Sequence, residues 1–175
     1  ALRNKVYEKL AEAQTAAEAK DWKNARGILD DMIDNSGKRA LNSYELAQIW
    51  NTLAFAYYTI EDIPNTIKSY ENILKQGTIT EALELSSLRA LFQLHYGEEN
   101  YRKAVQFIDK WQALKVTPDA QVTFIKATAY YQMENFRESL KWALRVEEIA
   151  NSQQKDIKEN WWYLQVVLYN EVEDV

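Results

Sequence analysis

A segment that recurs along the chain limits its fold more than any other feature of the sequence. Each copy contains a small or aromatic residue, then an acidic or amide turn, then one large apolar residue. The copies lie at 17–22, 56–63, 95–101, 129–136 and 168–175, and their large apolar residues are Trp22, Ile63, Tyr101, Phe136 and Val175. Those residues are 41, 38, 35 and 39 positions apart. A nearly constant period of this length is typical of a repeat protein, in which neighbouring supersecondary units stack.

Small side chains recur in phase with these large apolar residues. A small residue lies three positions after each of the first four large apolar residues: Ala25, Thr66, Ala104 and Ser139. A second small position precedes the turn at Ala13, Ala54 and Ala127, where the third copy has Phe92 instead. Because small side chains allow two helix axes to approach closely, these positions predict where the helices of a pair cross.

Hydrophobic periodicity predicts that the repeating unit is a pair of helices. Trp50, Leu53, Ala54, Tyr57 and Ile60 follow three- and four-residue steps and share one helix face. The chain has only 4 Gly and 2 Pro in 175 residues, which favours long helices joined by short connections. The predicted helices are near 2–19, 22–35, 43–60, 64–76, 80–96, 101–114, 118–133, 136–151 and 158–173.

Residues at the predicted helix ends carry capping signals. Asn42 precedes Glu45 by three residues, which predicts a capping box in which each side chain bonds to the other's backbone N–H. Thr117 followed by Pro118 indicates an N-cap with proline at the first helical position. Glycines stand where two helices are predicted to end, at Gly37 and Gly77.

The second copy carries Trp50, Leu53, Ala54 and Tyr57 on its first helix and Tyr70 on its second. This arrangement resembles the tetratricopeptide-repeat (TPR) motif, whose period is 34 residues. Trp162 and Tyr169 restart the pattern near the C-terminus. The resemblance implies an all-α, TPR-type α-solenoid, a right-handed superhelix of antiparallel helix pairs. It implies one domain over 1–175, with about four repeats at 6–39, 43–78, 81–116 and 118–152 and a partial fifth at 158–175.

Few residues are suited to catalysis, metal binding or nucleic-acid binding. The one histidine, His95, occupies the position of Tyr57 and Tyr130 in neighbouring copies, which favours packing over acid–base chemistry. The sequence has no Cys and no glycine-rich phosphate loop, so we predict no enzyme, no catalytic residue, no metal and no cofactor. The net charge of −5 and the absence of a Lys/Arg run argue against nucleic acid and anionic membranes as partners. No apolar stretch approaches the roughly 20 residues of a membrane span.

The TPR resemblance implies that the first helices of the repeats line a concave surface that binds a peptide or protein. Aromatic, amide and arginine side chains are expected there, because Tyr and Arg are enriched in binding hot spots and amides can pair with a peptide backbone. The predicted binding residues are Gln48, Asn51, Phe55, Tyr58, Arg89, Gln93, Tyr96, Phe124, Thr128, Tyr131, Asn160 and Tyr163, with Tyr7, Leu10 and Gln14 in the first copy. The alternative is that Phe55, Tyr58, Tyr96 and Tyr131 pack against the neighbouring first helix. The lysines of TPR clamps for C-terminal carboxylates are missing, so that specificity is not expected.

A narrower resemblance concerns the segments 42–51, 107–111 and 158–161. Together they resemble TPR proteins of Gram-negative bacteria that are encoded beside TonB energy-transduction systems. This resemblance implies a bacterial, periplasmic protein whose partner belongs to the TonB machinery. Ala1 would then be the first residue after a cleaved signal peptide, although a trimmed segment explains it equally well and a cytoplasmic location stays open.

The last predicted helix is apolar nearly all round, so one of its faces is expected to lack a cover within the chain. The candidate self-association residues are Trp161, Trp162, Leu164 and Leu168. Contiguous exposed apolar surface usually marks an interface, which predicts a homodimer or a covering segment. The alternative is that the helix turns its large residues inward and ends as a solvated cap. Two function classes therefore stay open, a scaffold that binds a partner and a self-assembly module, with an enzyme a distant third.

Overall fold

The computed structural model describes residues 2–34, 41–115 and 117–173, and within these ranges it contains helices and no strand. The helices are α1 (Asn4–Glu18), α2 (Trp22–Asp34), α3 (Ser43–Thr59), α4 (Ile63–Leu74), α5 (Glu81–Gly97), α6 (Tyr101–Leu114), α7 (Ala120–Gln132), α8 (Phe136–Ser152) and α9 (Glu159–Glu173). Every predicted helix is confirmed, and its ends agree with the prediction to within two residues. Two predicted positions lie outside the described residues. They are Gly37, which was predicted to end a helix, and Val175, the large apolar residue of the fifth copy.

The chain forms two compact units, Ala1–Leu91 and Phe92–Val175. In the first, α1 packs against α2 and α3 packs against α4, while α3 also contacts both α1 and α2. In the second, α7 packs against α8, and α6 contacts α7 as α8 contacts α9. The repeat boundaries and the single domain inferred from the sequence stay predictions.

The tight turns inside the helix pairs share one backbone geometry. After α1, the Asp21 N–H bonds to the Ala16 carbonyl and the Lys20 N–H bonds to the Ala17 carbonyl, the pattern of a Schellman motif. This motif requires a left-handed residue, which is Lys20 here with φ of 61°. The same turn recurs after α3, α5 and α7, with positive φ at Glu61, Glu99 and Glu134.

Glycine is absent from these left-handed positions. No glycine in the described ranges has a positive φ. Gly77 does follow α4, but it lies three residues beyond the last helical residue, Leu74, and does not form the helix stop. The glycine expectation is therefore wrong at Gly77. The described left-handed turn residues are Lys, Glu and, after α8, Gln154, in a conformation that costs an L-residue about 1–2 kcal/mol.

Capping follows the sequence prediction at one helix and departs from it at another. The capping box of α3 is confirmed, since the Glu45 N–H donates to Asn42 and the Asn42 N–H donates to Glu45. The predicted N-cap at Thr117 is wrong, because α7 begins at Ala120 and its N-cap is Asp119. The Asp119 carboxylate accepts from the Val122 N–H at 2.9 Å, which leaves Thr117 and Pro118 before the helix.

The predicted helix-crossing positions are confirmed as core. All eight residues of the two small-residue series have 0% of their surface exposed: Ala13, Ala25, Ala54, Thr66, Phe92, Ala104, Ala127 and Ser139. In the pair α7–α8 the Ser139 hydroxyl donates to the Ala127 carbonyl at 2.7 Å, so a residue of one series bonds directly to the backbone of the other. A larger side chain at this crossing would push the two helices apart.

Candidate protein-interaction surface

The first unit contains a groove with a volume of about 470 Å³. It lies between helices that run in the same direction. At their N-terminal ends, Arg3 just before α1 bonds to Glu45 of α3, and near their C-terminal ends residues of both helices line the groove. The lining residues are Gln14 and Glu18 of α1, Asn51, Thr52, Phe55 and Tyr58 of α3, and Tyr70 of α4.

Two aromatic rings of this groove face solvent. Phe55 has 53% and Tyr58 has 59% of its surface exposed, although the same helix also carries fully buried apolar residues such as Leu53. They lie three residues apart and therefore share one helix face. Exposing two large rings forgoes on the order of 1–3 kcal/mol of burial energy for each. The exposure of Phe55 and Tyr58 argues against the packing alternative, and their role in binding stays a prediction.

Polar side chains beside these rings are available for a ligand. Gln14 and Glu18 are exposed, Asn51 is half-buried, and none of the three makes a side-chain hydrogen bond with another described residue. The hydroxyl of Thr52 differs, because it donates to the Gln48 carbonyl of its own helix. The amides of Gln14 and Asn51, which have no such bond, can bond to the backbone of an extended peptide.

Tyr70 forms part of the groove wall. Burial raises the pKa of the Tyr70 hydroxyl, and the neighbouring Tyr58 hydroxyl raises it further. The phenol is therefore neutral at physiological pH and can donate a hydrogen bond.

Sequence reasoning missed three groove residues, which are Glu18, Thr52 and Tyr70. Glu18 follows Gln14 by one helical turn, so extending the predicted face of α1 by four residues would have found it. Tyr70 was assigned to repeat packing, and it serves both roles because it is half-buried. Of the predicted residues in this unit, Gln48 and Arg89 are half-buried and Tyr7 is exposed, and none of them lines the groove. Leu10 was predicted to bind a partner, and this is wrong because its side chain is buried in the core of this unit.

In the second unit the corresponding aromatic residues are packed. The Tyr96 hydroxyl lies 3.2 Å from the Thr128 hydroxyl and bonds to it. The ring of Phe124 lies 6.2 Å from that of Trp161, and the ring of Tyr131 lies 5.5 Å from that of Phe136. Tyr96 and Tyr131 therefore follow the packing alternative. Three other predicted binding residues of this unit are exposed: Gln93, Asn160 and Tyr163.

The last helix, α9, has one buried and one exposed apolar face. Three of the four predicted self-association residues are in the core, where they pack against α7 and α8: Trp161, Leu164 and Leu168. This placement corrects the sequence-based assignment, because a helix that is apolar nearly all round buries the face nearest its neighbours. The exposed face carries Trp162, Val166 and Tyr169, with exposures of 47%, 60% and 47%.

The one histidine of the sequence packs in the core. His95 is 4% exposed, and its ring stacks on Phe107 with centroids 5.5 Å apart and planes 4° apart, which confirms the predicted packing role. Within the described ranges, no cluster of three or more His, Asp or Glu residues could hold a metal ion. No described helix is long and apolar enough to cross a membrane.

Solved structures with the same architecture cover nearly all of the chain. MamA AMB-1 matches with a TM-score of 0.67 and 13% identity over 97% of this chain and 83% of its own. YrrB, a TPR protein with an unusual peptide-binding site, matches with a TM-score of 0.63 and 14% identity over 94% of this chain and 76% of its own. A putative kinesin light chain of Podosopora anserina with nearly identical TPR-like repeats matches with a TM-score of 0.60 and 15% identity. This match covers 97% of this chain and 88% of its own. No family model and no curated protein matches the sequence. At such identities the likeness concerns the fold alone, which is all-helical and of the TPR solenoid type.

Proposed function

We propose that this chain is a non-catalytic scaffold that binds a peptide or protein segment in the groove between α1 and α3. The observation that carries the proposal is the exposure of Phe55 and Tyr58 inside a groove that also offers unpaired amides. A few residues, often Trp, Tyr or Arg, supply most of the binding energy of a typical interface, and amides can pair with the backbone of an extended segment. The peptide-binding site named for YrrB, whose fold is the same, supports this class of ligand.

Selection from a phage-displayed library of random dodecapeptides tests the proposal. Peptides that bind the full chain should lose on the order of tenfold or more in affinity with Phe55→Ala or Tyr58→Ala, because each removes a hot-spot ring. Tyr169→Ala, which removes a ring of α9 that is 47% exposed, is the control outside the groove. Binding that is unchanged in both groove variants, with the melting temperature also unchanged, would disprove the groove as the binding site.

A finer proposal concerns location and partner. The resemblance of 42–51, 107–111 and 158–161 to TonB-associated TPR proteins supports a periplasmic accessory of a TonB system. Osmotic-shock fractionation of the source cells should release the protein with periplasmic markers. The periplasmic domain of the TonB protein from the same cells should be retained by the purified chain, and less so by Tyr58→Ala. Recovery with cytoplasmic markers would reject this finer proposal and leave the groove proposal standing.

A second candidate function is self-assembly through α9. The observation in its favour is the exposed row of Trp162, Val166 and Tyr169, spaced at i, i+4 and i+7 on one helix face. A two-fold dimer would place this face against its own copy. Sedimentation velocity over a dilution series should then show a dimer that Val166→Glu abolishes. A monomer at every concentration would exclude this candidate.

A further inference from the structure

The groove of the first unit is electrostatically one-sided. Within the described ranges, its lining contains one acidic side chain, Glu18, and no lysine or arginine. Glu18 is exposed and forms no ion pair with another described residue. The other described lining groups are uncharged side chains, so Glu18 carries the charge of the lining.

The backbone of the two parallel helices adds to this negative potential. Glu18 is the last residue of α1, and Tyr58 is in the last turn of α3, which ends at Thr59. Helix C-termini carry a partial negative charge and favour cations nearby. Neither helix has a basic residue in its last turn.

The aromatic rings are suited to the same kind of ligand. The faces of Phe55, Tyr58 and Tyr70 are electron-rich, and ammonium or guanidinium groups bind over such faces. Cations already lie over other aromatic rings of this protein. The Arg26 guanidinium, for example, is 5.1 Å from the centroid of the Tyr57 ring. Among the residues that the structure describes, no basic side chain lines the groove, so this position is open to a cation from a ligand.

We infer that the groove recognises a lysine or arginine side chain of the bound segment, whose cation lies beside Glu18 and over an aromatic ring of α3. The inference rests on the proposed function and adds its specificity. The aliphatic stem of the basic residue packs on Phe55 and Tyr58, and the amides of Gln14 and Asn51 bond to the backbone on either side. An acidic residue at the same place would meet the Glu18 carboxylate and both helix C-termini.

Four pools of biotinylated nonapeptides test the inference on the full chain. The pools are random except for a central Arg, Lys, Gln or Glu. The Arg and Lys pools should bind about tenfold more strongly than the Gln pool, and the Glu pool should bind least, because ion pairing and cation–π attraction act together. Added salt should reduce the preference. Glu18→Lys should abolish it, whereas Glu8→Lys, an exposed glutamate on the same helix outside the groove, should retain it.

Each outcome separates this inference from the function on which it rests. If all pools bind equally, or the Glu pool binds best, and Tyr58→Ala still weakens binding, the basic specificity is wrong and the scaffold function stands. If no pool binds, both fall. A preference for basic pools that persists in Glu18→Lys also overturns the inference, since the cation would then be held elsewhere.

Discussion

Arg3 and Glu45 form a two-pronged ion pair that joins the start of α1 to the first turn of α3. The Arg3 Nη2 lies 2.7 Å from Glu45 Oε2, and Arg3 Nε lies 2.8 Å from Oε1. Glu45 is completely buried and also accepts from the Asn42 N–H of its capping box. One carboxylate therefore caps α3 and fixes α1 beside it, which sets the parallel arrangement on which the groove depends.

This ion pair predicts a specific loss of stability in acid. Hydrogen bonding from Arg3 holds the pKa of Glu45 at about 2, well below its ordinary value of 4.5. Because the folded-state pKa is depressed, the stabilisation is fully present above the ordinary value and is lost as pH falls from there towards 2. The contribution is on the order of 2 kcal/mol. Urea unfolding at a series of pH values should show it as a slope that Glu45→Gln flattens. Glu8→Gln, an exposed glutamate of α1, is the control and should keep the slope of the parent chain.

The left-handed residues of the turns predict a stabilising substitution. Glu99 has a φ of 59° in the turn between α5 and α6, where glycine would avoid the steric cost of its Cβ. Glu99→Gly should raise the free energy of unfolding by about 0.5–1 kcal/mol, which is the steric gain less the entropy cost of glycine. Gln106→Gly, at an exposed position inside α6, should lower it by about 1 kcal/mol. A loss of stability in both variants would show that the turn is not strained.

The buried amino group of Lys126 predicts unequal effects of its two partners. Lys126 Nζ lies 2.6 Å from the carboxylate of Asp109 and 3.5 Å from the centroid of the Trp142 ring, and its side chain is 6% exposed. Asp109→Asn leaves a buried charge without its counter-ion and should destabilise the chain by about 2 kcal/mol. Lys126→Met removes the charge and fills the same space, so it should change stability by less than about 1 kcal/mol. Equal losses in both variants, measured by urea unfolding, would contradict this account.

The helices could be predicted from the sequence because their signals are local. The three- and four-residue spacing from Trp50 to Ile60 depends only on the helix itself, and Asn42 and Glu45 cap their own first turn. The left-handed turn residues could not be predicted in this way. Lys20 and Glu99 have no preference for positive φ, and they adopt it because the packed helices on both sides fix the turn.

Which of the equivalent aromatic residues are exposed could not be predicted either. Tyr58 and Tyr131 occupy equivalent positions in their repeats, yet Tyr58 is 59% exposed and Tyr131 packs beside Phe136. The difference depends on the residues that neighbouring helices bring close, and these lie far apart in the sequence. Trp161 and Trp162 differ for the same reason, since the packing of α9 on α7 and α8 decides which ring is buried.

The hydroxyl group of Tyr96 should contribute to the stability of the chain, whereas that of Tyr58 should not. The Tyr96 hydroxyl bonds to the Thr128 hydroxyl at 3.2 Å, between α5 and α7, whereas the Tyr58 ring is 59% exposed in the groove of the first unit. Tyr96→Phe should therefore lower the free energy of unfolding by about 1 kcal/mol, and Tyr58→Phe should leave it nearly unchanged. Thr128→Val should cost a similar amount to Tyr96→Phe, and the double variant should cost less than the sum, because both remove the same bond. Thermal and urea unfolding of the four variants measure these differences. Additive losses from Tyr96→Phe and Thr128→Val would show that the two hydroxyls do not interact, and Tyr96 would then return to the set of candidate binding residues.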